Sequence, residues 1–202
     1  MKVKICGITD IETGKKAVEY GADAVGFVFA ESKRKVPAEL AKEIISHLPK
    51  DVWKVGVFVN ETKEAIERIA EVAGLTHLQL HGDESAAFAV SLSLPVIKAI
   101  SFQDNKTLEV FHQFPCDYLL LDGPKGKYRG GNGSAFNWQE VNIDLLNQKH
   151  VILAGGLDPE NVATAINIIK PYMVDVSSGV ETEGRKDFRK IKQFIEKAKG
   201  II

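Results

Sequence analysis

The thiol of Cys6 stands at the end of an apolar run, a position from which a side chain can open into an active site. Gly7 and then Thr9 and Asp10 follow it, and the last two residues are typical of a helix start. The N-terminus of a helix can stabilise the thiolate of a nearby cysteine. This setting favours a reactive thiol, although an inert buried cysteine is the alternative.

The second cysteine, Cys116, begins a later apolar run and is expected at the opposite end of its strand. Because strands rise about 3.3 Å per residue, the two sulfurs would lie beyond disulfide reach. Two cysteines are also too few for a disulfide framework or a structural zinc site. We therefore expect free thiols and a cytoplasmic location.

Asp122 follows the apolar run CDYLLL and precedes the glycine-rich stretch GPKGKYRGGNGSAF, residues 123–136. Burial favours the protonated form of a carboxyl group, and a carboxyl that stays partly protonated near neutrality can act as a general acid. The glycines would let the stretch close over a ligand as a lid. The alternatives are a turn aspartate and an ordinary surface loop.

Small residues follow the last two apolar runs, in the segments AGGL and DVSSGVE. They allow backbone N–H groups to surround a phosphate, and the loops after strands 7 and 8 form such a site in many barrels. We therefore expect a phosphorylated small-molecule substrate, unless the glycines only make turns. The candidate substrate-binding residues of the two segments are Gly155, Gly156, Asp175, Ser177, Ser178 and Gly179.

Three more polar residues follow other apolar runs. In ESKRKV, Arg34 can pair with a substrate carboxylate through its planar fork, unless it belongs to a solvated basic loop. Gln79 and His81, in LQLHG, are further candidate substrate-binding residues. A lone histidine at such a position is as often a packing residue as a catalytic one, so we assign His81 no proton transfer. No second ligand stands at metal-binding spacing from it, and we expect no metal.

The elements that must position these residues are eight apolar runs, which alternate with longer segments whose apolar residues recur every three or four positions. Continuously apolar runs such as VGFVF and VGVFV are typical of parallel strands covered on both faces. The predicted strands, with helices between them, are 3–6, 24–29, 54–59, 76–80, 96–100, 118–121, 151–153 and 173–176.

This order predicts an α/β fold, a compact single-domain (β/α)8 TIM barrel over residues 1–202, with its active site at the C-terminal ends of the strands. Asp10, Asn60 and Asp158 stand where helix N-caps are expected, and Gly74 where a helix ends. The alternative is an open doubly wound sheet. That fold normally has a G-x-G-x-x-G turn after its first strand, and KICGIT lacks it.

The composition is that of an ordinary globular protein, 45% hydrophobic and 26% charged, with a formal net charge of -1. This balance gives no support for a nucleic-acid partner. No apolar run is long enough to span a bilayer, and MKVKICGITD lacks the apolar core of a signal peptide. We expect no membrane partner.

Nine segments in order make the sequence specific: KICGIT, GADAVGFVF, SKR, VGVFVN, QLHG, LLLD, GGNGSAFNW, AGGLDPENV and DVSSGVE. Through this set the chain resembles, over its whole length, the phosphoribosylanthranilate isomerase family of tryptophan biosynthesis. One departure is Asn132, where the family's glycine-rich segment often has Thr or Ser.

The resemblance implies an Amadori rearrangement that converts N-(5'-phosphoribosyl)anthranilate into 1-(2-carboxyphenylamino)-1-deoxyribulose 5-phosphate without a cofactor. By carry-over, Asp122 would be the general acid at the ring oxygen and Cys6 the general base at C2'. Arg34 would hold the anthranilate carboxylate. The residues that would hold the phosphate are Gly155, Gly156, Ser177, Ser178 and Gly179.

Other phosphate-binding barrels are the nearest alternatives: a sugar-phosphate epimerase, indole-glycerol-phosphate synthase and the histidine-pathway aminoaldose isomerase. Cys6 argues against two of them, because the histidine-pathway enzyme is expected to have Asp at that position and the epimerase needs metal-binding His and Asp. A synthase would need additional catalytic Lys and Glu residues in matching places, and the sequence offers no such set. A non-catalytic phosphate-ligand sensor on the same barrel also stays open. The default expectation for oligomeric state is a monomer.

Overall fold

The computed structural model describes residues 1–123, 137–146 and 149–200. The stretch predicted to act as a lid lies, beyond Gly123, outside the described residues, and so does Asn132. The lid therefore stays a prediction.

Eight parallel strands close into a barrel in the order in which they occur along the chain. This arrangement confirms the predicted (β/α)8 TIM barrel, and every predicted strand boundary lies within one residue of the observed one. The strands are β1 (Lys2–Cys6), β2 (Ala24–Val28), β3 (Trp53–Phe58), β4 (His77–Leu80), β5 (Val96–Ser101), β6 (Tyr118–Asp122), β7 (His150–Leu153) and β8 (Met173–Val176). A short hairpin of β9 (Glu181–Thr182) and β10 (Arg185–Lys186) follows β8.

Seven α-helices are formed by the described residues, and they cover the outside of the barrel. They are α1 (Ile11–Glu19), α2 (Ala38–Ser46), α3 (Lys63–Ala73), α4 (Ala86–Val90), α5 (Asn105–His112), α6 (Val162–Ile169) and α7 (Phe188–Lys199). None of these helices is long and apolar enough to cross a membrane.

Two of the predicted helix boundaries are confirmed. The side chain of Asp10 caps α1 by accepting a hydrogen bond from the backbone N–H of Thr13, at 2.8 Å. Gly74 ends α3 in the left-handed conformation, with φ of 75°, which glycine adopts without a steric penalty.

The predicted caps at Asn60 and Asp158 are wrong. Helix α3 is capped by Thr62, two residues later, and Asn60 instead accepts a hydrogen bond from the backbone of Asp83. Helix α6 begins after Asn161, because the Asp158 carboxylate forms a local turn by accepting from backbone N–H groups ahead of the helix. Short polar side chains stabilise such turns in competition with the helix.

The connection from β6 to β7 also differs from the expected helix. Its described part forms two 3-10 turns, Trp138–Glu140 and Ile143–Leu146, and no α-helix. The side chains of Asn137 and Asn142 each accept a hydrogen bond from the backbone N–H two residues ahead. These local bonds favour turns over a continuous helix.

The core has two layers, because alternate residues of each strand point to opposite faces of the sheet. An outer layer between strands and helices contains, for example, Val3 and Ile5 of β1. An inner layer fills the lumen, and its fully or largely buried members are Ala24, Val55, Ile97, Ala99, Leu120, Ile152, Ala154 and Met173. Polar side chains replace this apolar filling towards the C-terminal ends of the strands, where the cavity opens.

Candidate active site

A cavity of about 700 Å³ opens at the C-terminal ends of the barrel strands. Every residue predicted from the sequence to belong to the site lines it: Cys6, Arg34, Gln79, His81, Asp122, Gly155, Gly156, Asp175, Ser177, Ser178 and Gly179. The thiol and the carboxyl, from β1 and β6, therefore face the same space.

Cys6 is the last residue of β1 and is only 8% exposed. Its sulfur lies against Gly26 of the neighbouring strand, where a Cβ atom would come within 2.7 Å of Sγ. Gly7 then turns the chain with φ of 79°, and its N–H donates to the Gly26 carbonyl at 2.9 Å. Glycine at position 26 thus leaves the space that the thiol occupies.

The sequence predicts surroundings that favour the thiolate of Cys6, but burial of the thiol in the structure favours its neutral form. Burial raises the pKa of the thiol above its usual value, and the positive charges of Lys4 and Lys186 offset this only in part. The groups that lower this pKa are the two lysines, and Asp175 adds to the effect of burial. A thiolate here depends on nearby cations.

Asp122 ends β6 with both carboxylate oxygens engaged. Oδ1 accepts from the backbone N–H of Gly123 at 2.8 Å, and Oδ2 lies 3.2 Å from Nε2 of His81. Nδ1 of His81 lies 3.0 Å from the amide nitrogen of Gln79, which can only donate. With this amide orientation the histidine proton is on Nε2, so His81 donates a hydrogen bond to Asp122.

The loops after β7 and β8 are shaped by glycine. Gly155 and Gly156 both have positive φ, 78° and 68°, and their N–H groups donate no hydrogen bond within the described part of the chain. Gly179 packs so closely that a Cβ would lie 1.9 Å from the Leu157 carbonyl oxygen. These backbones can approach an anion because no side chain separates them from it.

The Arg34 side chain passes Gly7 to reach the cavity, but two of its guanidinium N–H groups already donate to Glu181. Nε and Nη2 donate to the two carboxylate oxygens of Glu181, at 2.6 and 2.8 Å. A guanidinium group has five N–H donors, so three remain for a ligand. Arg34 can still contact a carboxylate, through the edge that Glu181 leaves open.

Glu181 holds a compact cluster of charges together. Besides Arg34 it contacts Lys186, whose Nζ lies 2.9 Å from Oε1 and also donates to the Ser177 carbonyl at 2.8 Å. Burial alone would raise the pKa of Glu181, but the hydrogen bonds and charges of Arg34 and Lys186 outweigh it and lower the pKa to about 2. Glu181 is therefore ionised throughout the neutral range.

The sequence of residues 3–197 matches the family described as N-(5'phosphoribosyl)anthranilate (PRA) isomerase. The chain belongs to this isomerase family. It is 58% identical, over 98% of each chain, to the N-(5'-phosphoribosyl)anthranilate isomerase of Bacillus mycoides (strain KBAB4). Membership of the family confirms the predicted activity, the conversion of N-(5'-phosphoribosyl)anthranilate in tryptophan biosynthesis.

Solved structures of isomerases in this family superpose closely on the chain. The enzyme from Thermotoga maritima has a TM-score of 0.90 at 41% identity, over 99% of each chain. Monomers generated from that dimeric enzyme give 0.87 at 40% identity, again over 99% of each chain. An isomerase in complex with reduced 1-(o-carboxyphenylamino)-1-deoxyribulose 5-phosphate gives 0.88 at 40% identity and the same coverage.

Sequence reasoning about this isomerase site missed three charged residues, Lys4, Glu181 and Lys186. Lys4 donates to Asp175 from inside the barrel. The other two lie in the hairpin after β8, where the turn residues Glu183 and Gly184 both have positive φ. That pair was the one sequence signal for the hairpin, because two-residue hairpin turns favour glycine.

Proposed function

We propose that Asp122 and Cys6 carry out the two proton transfers of the isomerisation while the other cavity residues hold the substrate. The observation that carries this proposal is the opening of both groups, from β6 and β1, into one cavity that also contains the glycine-lined loops after β7 and β8. The reacting sugar can lie between acid and base while its phosphate is held beside them.

In the first half of the reaction Asp122, which enters the cycle in its protonated form, gives its proton to the furanose ring oxygen. The bond between that oxygen and C1' breaks, and the anthranilate nitrogen lone pair forms a C=N bond, which yields the open-chain protonated Schiff base. Asp122 is left as a carboxylate. The hydrogen bond from Nε2 of His81 stabilises that carboxylate and fixes its orientation.

In the second half Cys6, as a thiolate, takes the proton from C2'. The bonding electrons move towards the iminium nitrogen, which acts as the electron sink, and an enol forms. The enol becomes the ketone by taking up one proton at C1' and releasing its O–H proton, both exchanged with solvent. A proton that passes through solvent from the Cys6 thiol to Asp122 then restores both groups for the next cycle. Because the substrate supplies its own electron sink, the chemistry needs no cofactor.

The remaining cavity residues are proposed to bind the rest of the substrate. Arg34 would contact the anthranilate carboxylate through its free N–H groups. Gln79 Oε1 and Asp175 Oδ1 are buried without a hydrogen-bond partner among the described residues, so they can accept from sugar hydroxyls. The proposed phosphate-binding residues are Gly155, Gly156, Ser177, Ser178 and Gly179, and this remote binding energy positions the sugar.

Replacing the acid or the base tests this proposal. We expect Cys6→Ala and Asp122→Asn to lose about 100- to 10,000-fold in kcat, or about 3 to 6 kcal/mol of barrier, because each removes one proton transfer. Turnover is followed by the loss of anthranilate fluorescence, and circular dichroism checks the fold. Cys116→Ser is the matched thiol control and should turn over normally. Wild-type kcat in either active-site variant would refute its role.

We further propose that residues 1–202 act as one catalytic domain, as a cytoplasmic monomer. Both cysteines are free, which suits a reducing compartment. Of the large apolar side chains exposed among the described residues, Val90, Val110 and Ile168 lie on separate helices and Met1 precedes β1, so they form no common patch. Light scattering decides between this monomer and a dimer like that of the Thermotoga maritima relative.

A further inference from the structure

Lys4 is buried inside the barrel, next to the proposed base. Lys4 and Cys6 lie two residues apart on β1, so both side chains point to the lumen face of the strand. None of Lys4 is exposed. A buried ammonium group is costly unless an opposite charge compensates it, so its presence here needs a reason other than filling space.

Asp175 supplies the compensating charge and fixes the position of the amine. Strand β8 pairs with β1 so that Asp175 lies opposite Lys4, and Nζ donates to Oδ2 at 2.8 Å. Both side chains are buried, Asp175 being 7% exposed. The ammonium group is therefore held at one place instead of sampling several rotamers.

The end of the Lys4 side chain and the Cys6 thiol border the same small space in front of Gly26. A Cβ at Gly26 would lie 2.7 Å from Cys6 Sγ and 3.2 Å from Lys4 Cε. Two other charged groups act on the thiol. Asp175 raises the pKa of Cys6 and Lys186 of β10 lowers it, so Lys4 and Lys186 are the cations that oppose burial.

We propose that Lys4 is a positioning residue for Cys6: its ammonium group, held by Asp175, stabilises the thiolate and sets the pH range in which the thiol takes the C2' proton. The inference rests on the base role proposed above for Cys6. Lys4 itself does not line the cavity, so it acts through Cys6 and not through the substrate. A neutral residue of the same length would fill the space without this effect.

The test measures how fast iodoacetamide alkylates Cys6 as a function of pH, in a Cys116→Ser background that leaves one thiol. We expect Lys4→Met to raise the pH midpoint by about one to three units, since an opposite charge at this range shifts a pKa by that much. Alkylation at neutral pH then slows about tenfold per unit, and kcat falls with it. Raising the pH restores both rates, which a merely structural defect would not allow.

Asp175→Asn is expected to shift the pH midpoint of Cys6 alkylation in the opposite direction, and it leaves Lys4 in place. It leaves the ammonium group with the thiolate as its nearest counter-charge, so the alkylation midpoint is expected to fall. Only alkylation is read for this variant, because Asp175 is also proposed to bind the substrate. Lys98→Met is the matched control: it removes another buried lysine, paired with Glu84 at 2.9 Å, and should leave the Cys6 midpoint in place.

Midpoints that move up for Lys4→Met, down for Asp175→Asn and not for Lys98→Met support the inference. An unchanged Cys6 midpoint in folded Lys4→Met overturns it. If Lys4→Met does not fold, Lys4→Gln, which also removes the charge, decides, and an unchanged Cys6 midpoint in that variant overturns the inference. Full turnover by Cys6→Ala refutes the base role instead, a separate result, because alkylation reports the coupling between Lys4 and the thiol without reference to catalysis.

Discussion

Arg34, Asp122 and Asp175 each have an opposite charge or a hydrogen-bond partner on a different strand or loop. Arg34 illustrates the consequence, because Glu181 fixes two of its donors and leaves a defined edge for the substrate. In the low dielectric of a closed site, fixed charges act more strongly than mobile ones. Glu181 thus positions Arg34, although it need not touch the substrate.

Glu181→Gln should therefore weaken substrate binding more than it slows the chemistry. The amide keeps the shape but loses the charge, and a hydrogen bond to a charged group is worth about 1.5 to 3 kcal/mol. We expect KM to rise about tenfold with a smaller change in kcat. Lys33→Ala is the control, since Lys33 lies 3.7 Å from the same carboxylate but is 61% exposed, and exposed pairs contribute little. A kcat loss with unchanged KM would contradict this role.

The loops after β7 and β8 place backbone, and not side chains, around the proposed phosphate. Two features require glycine at position 155. Its φ is left-handed, 78°, and an added Cβ would lie 2.3 Å from the Gly123 nitrogen and 3.0 Å from Asp122 Oδ1. The loop that binds the phosphate is thus in contact with the strand end that carries the acid. A change in one is expected to disturb the other.

Gly155→Ala and Gly74→Ala separate backbone strain from damage to the site. Both glycines have nearly the same φ, 78° and 75°, but a Cβ at Gly74 would meet only Ile45 at 4.0 Å, far from the cavity. Each variant should lose roughly 1 to 2 kcal/mol of unfolding free energy through the left-handed conformation. Gly155→Ala should lose more than this, because its Cβ would also meet the Gly123 nitrogen at 2.3 Å. Only Gly155→Ala should also lower kcat/KM, by about tenfold or more. Equal kinetics in the two variants would contradict the contact with Asp122.

The strand ends could be predicted from the sequence because each apolar run stops at a polar or small residue. The partners of those residues could not. Arg34 and Glu181 are 147 positions apart, and only the closure of the barrel brings β8 beside β1. Lys4 stands in KVKIC as a polar residue between apolar ones, a pattern typical of a half-exposed strand, whereas closure of the barrel buries both of its faces.

The two ends of the barrel differ in function. The C-terminal ends of the strands hold the cavity, and the N-terminal ends hold a cluster of rings. In that cluster His77 stacks on Trp53 at 3.9 Å between ring centroids, and Lys2 lies 5.1 Å from the Trp53 ring centre. In this fold the N-terminal face generally serves stability and the opposite face catalysis. Changes at the ring cluster should alter unfolding and leave kcat in place.

Acidification should lower the unfolding free energy through His77, in the ring cluster. Burial, with a smaller contribution from the charge of Lys2, lowers the pKa of His77 from 6.5 to about 4. Between pH 6.5 and about 4 the unfolded chain binds a proton at His77 and the folded protein does not. The stability that the neutral His77 side chain contributes is therefore complete above pH 6.5 and is lost as the pH falls to about 4. The lowered pKa corresponds to about 3 kcal/mol of unfolding free energy.

Denaturant unfolding of the wild type and of His77→Gln, measured between pH 7.5 and 4, checks this contribution. The variant should be less stable at pH 7.5 and should lose less on acidification, so that the two curves converge near pH 4. His47→Gln, which removes an exposed histidine outside the ring cluster, is the matched control and should keep the wild-type slope. Parallel curves for wild type and His77→Gln would assign the acid sensitivity to other groups.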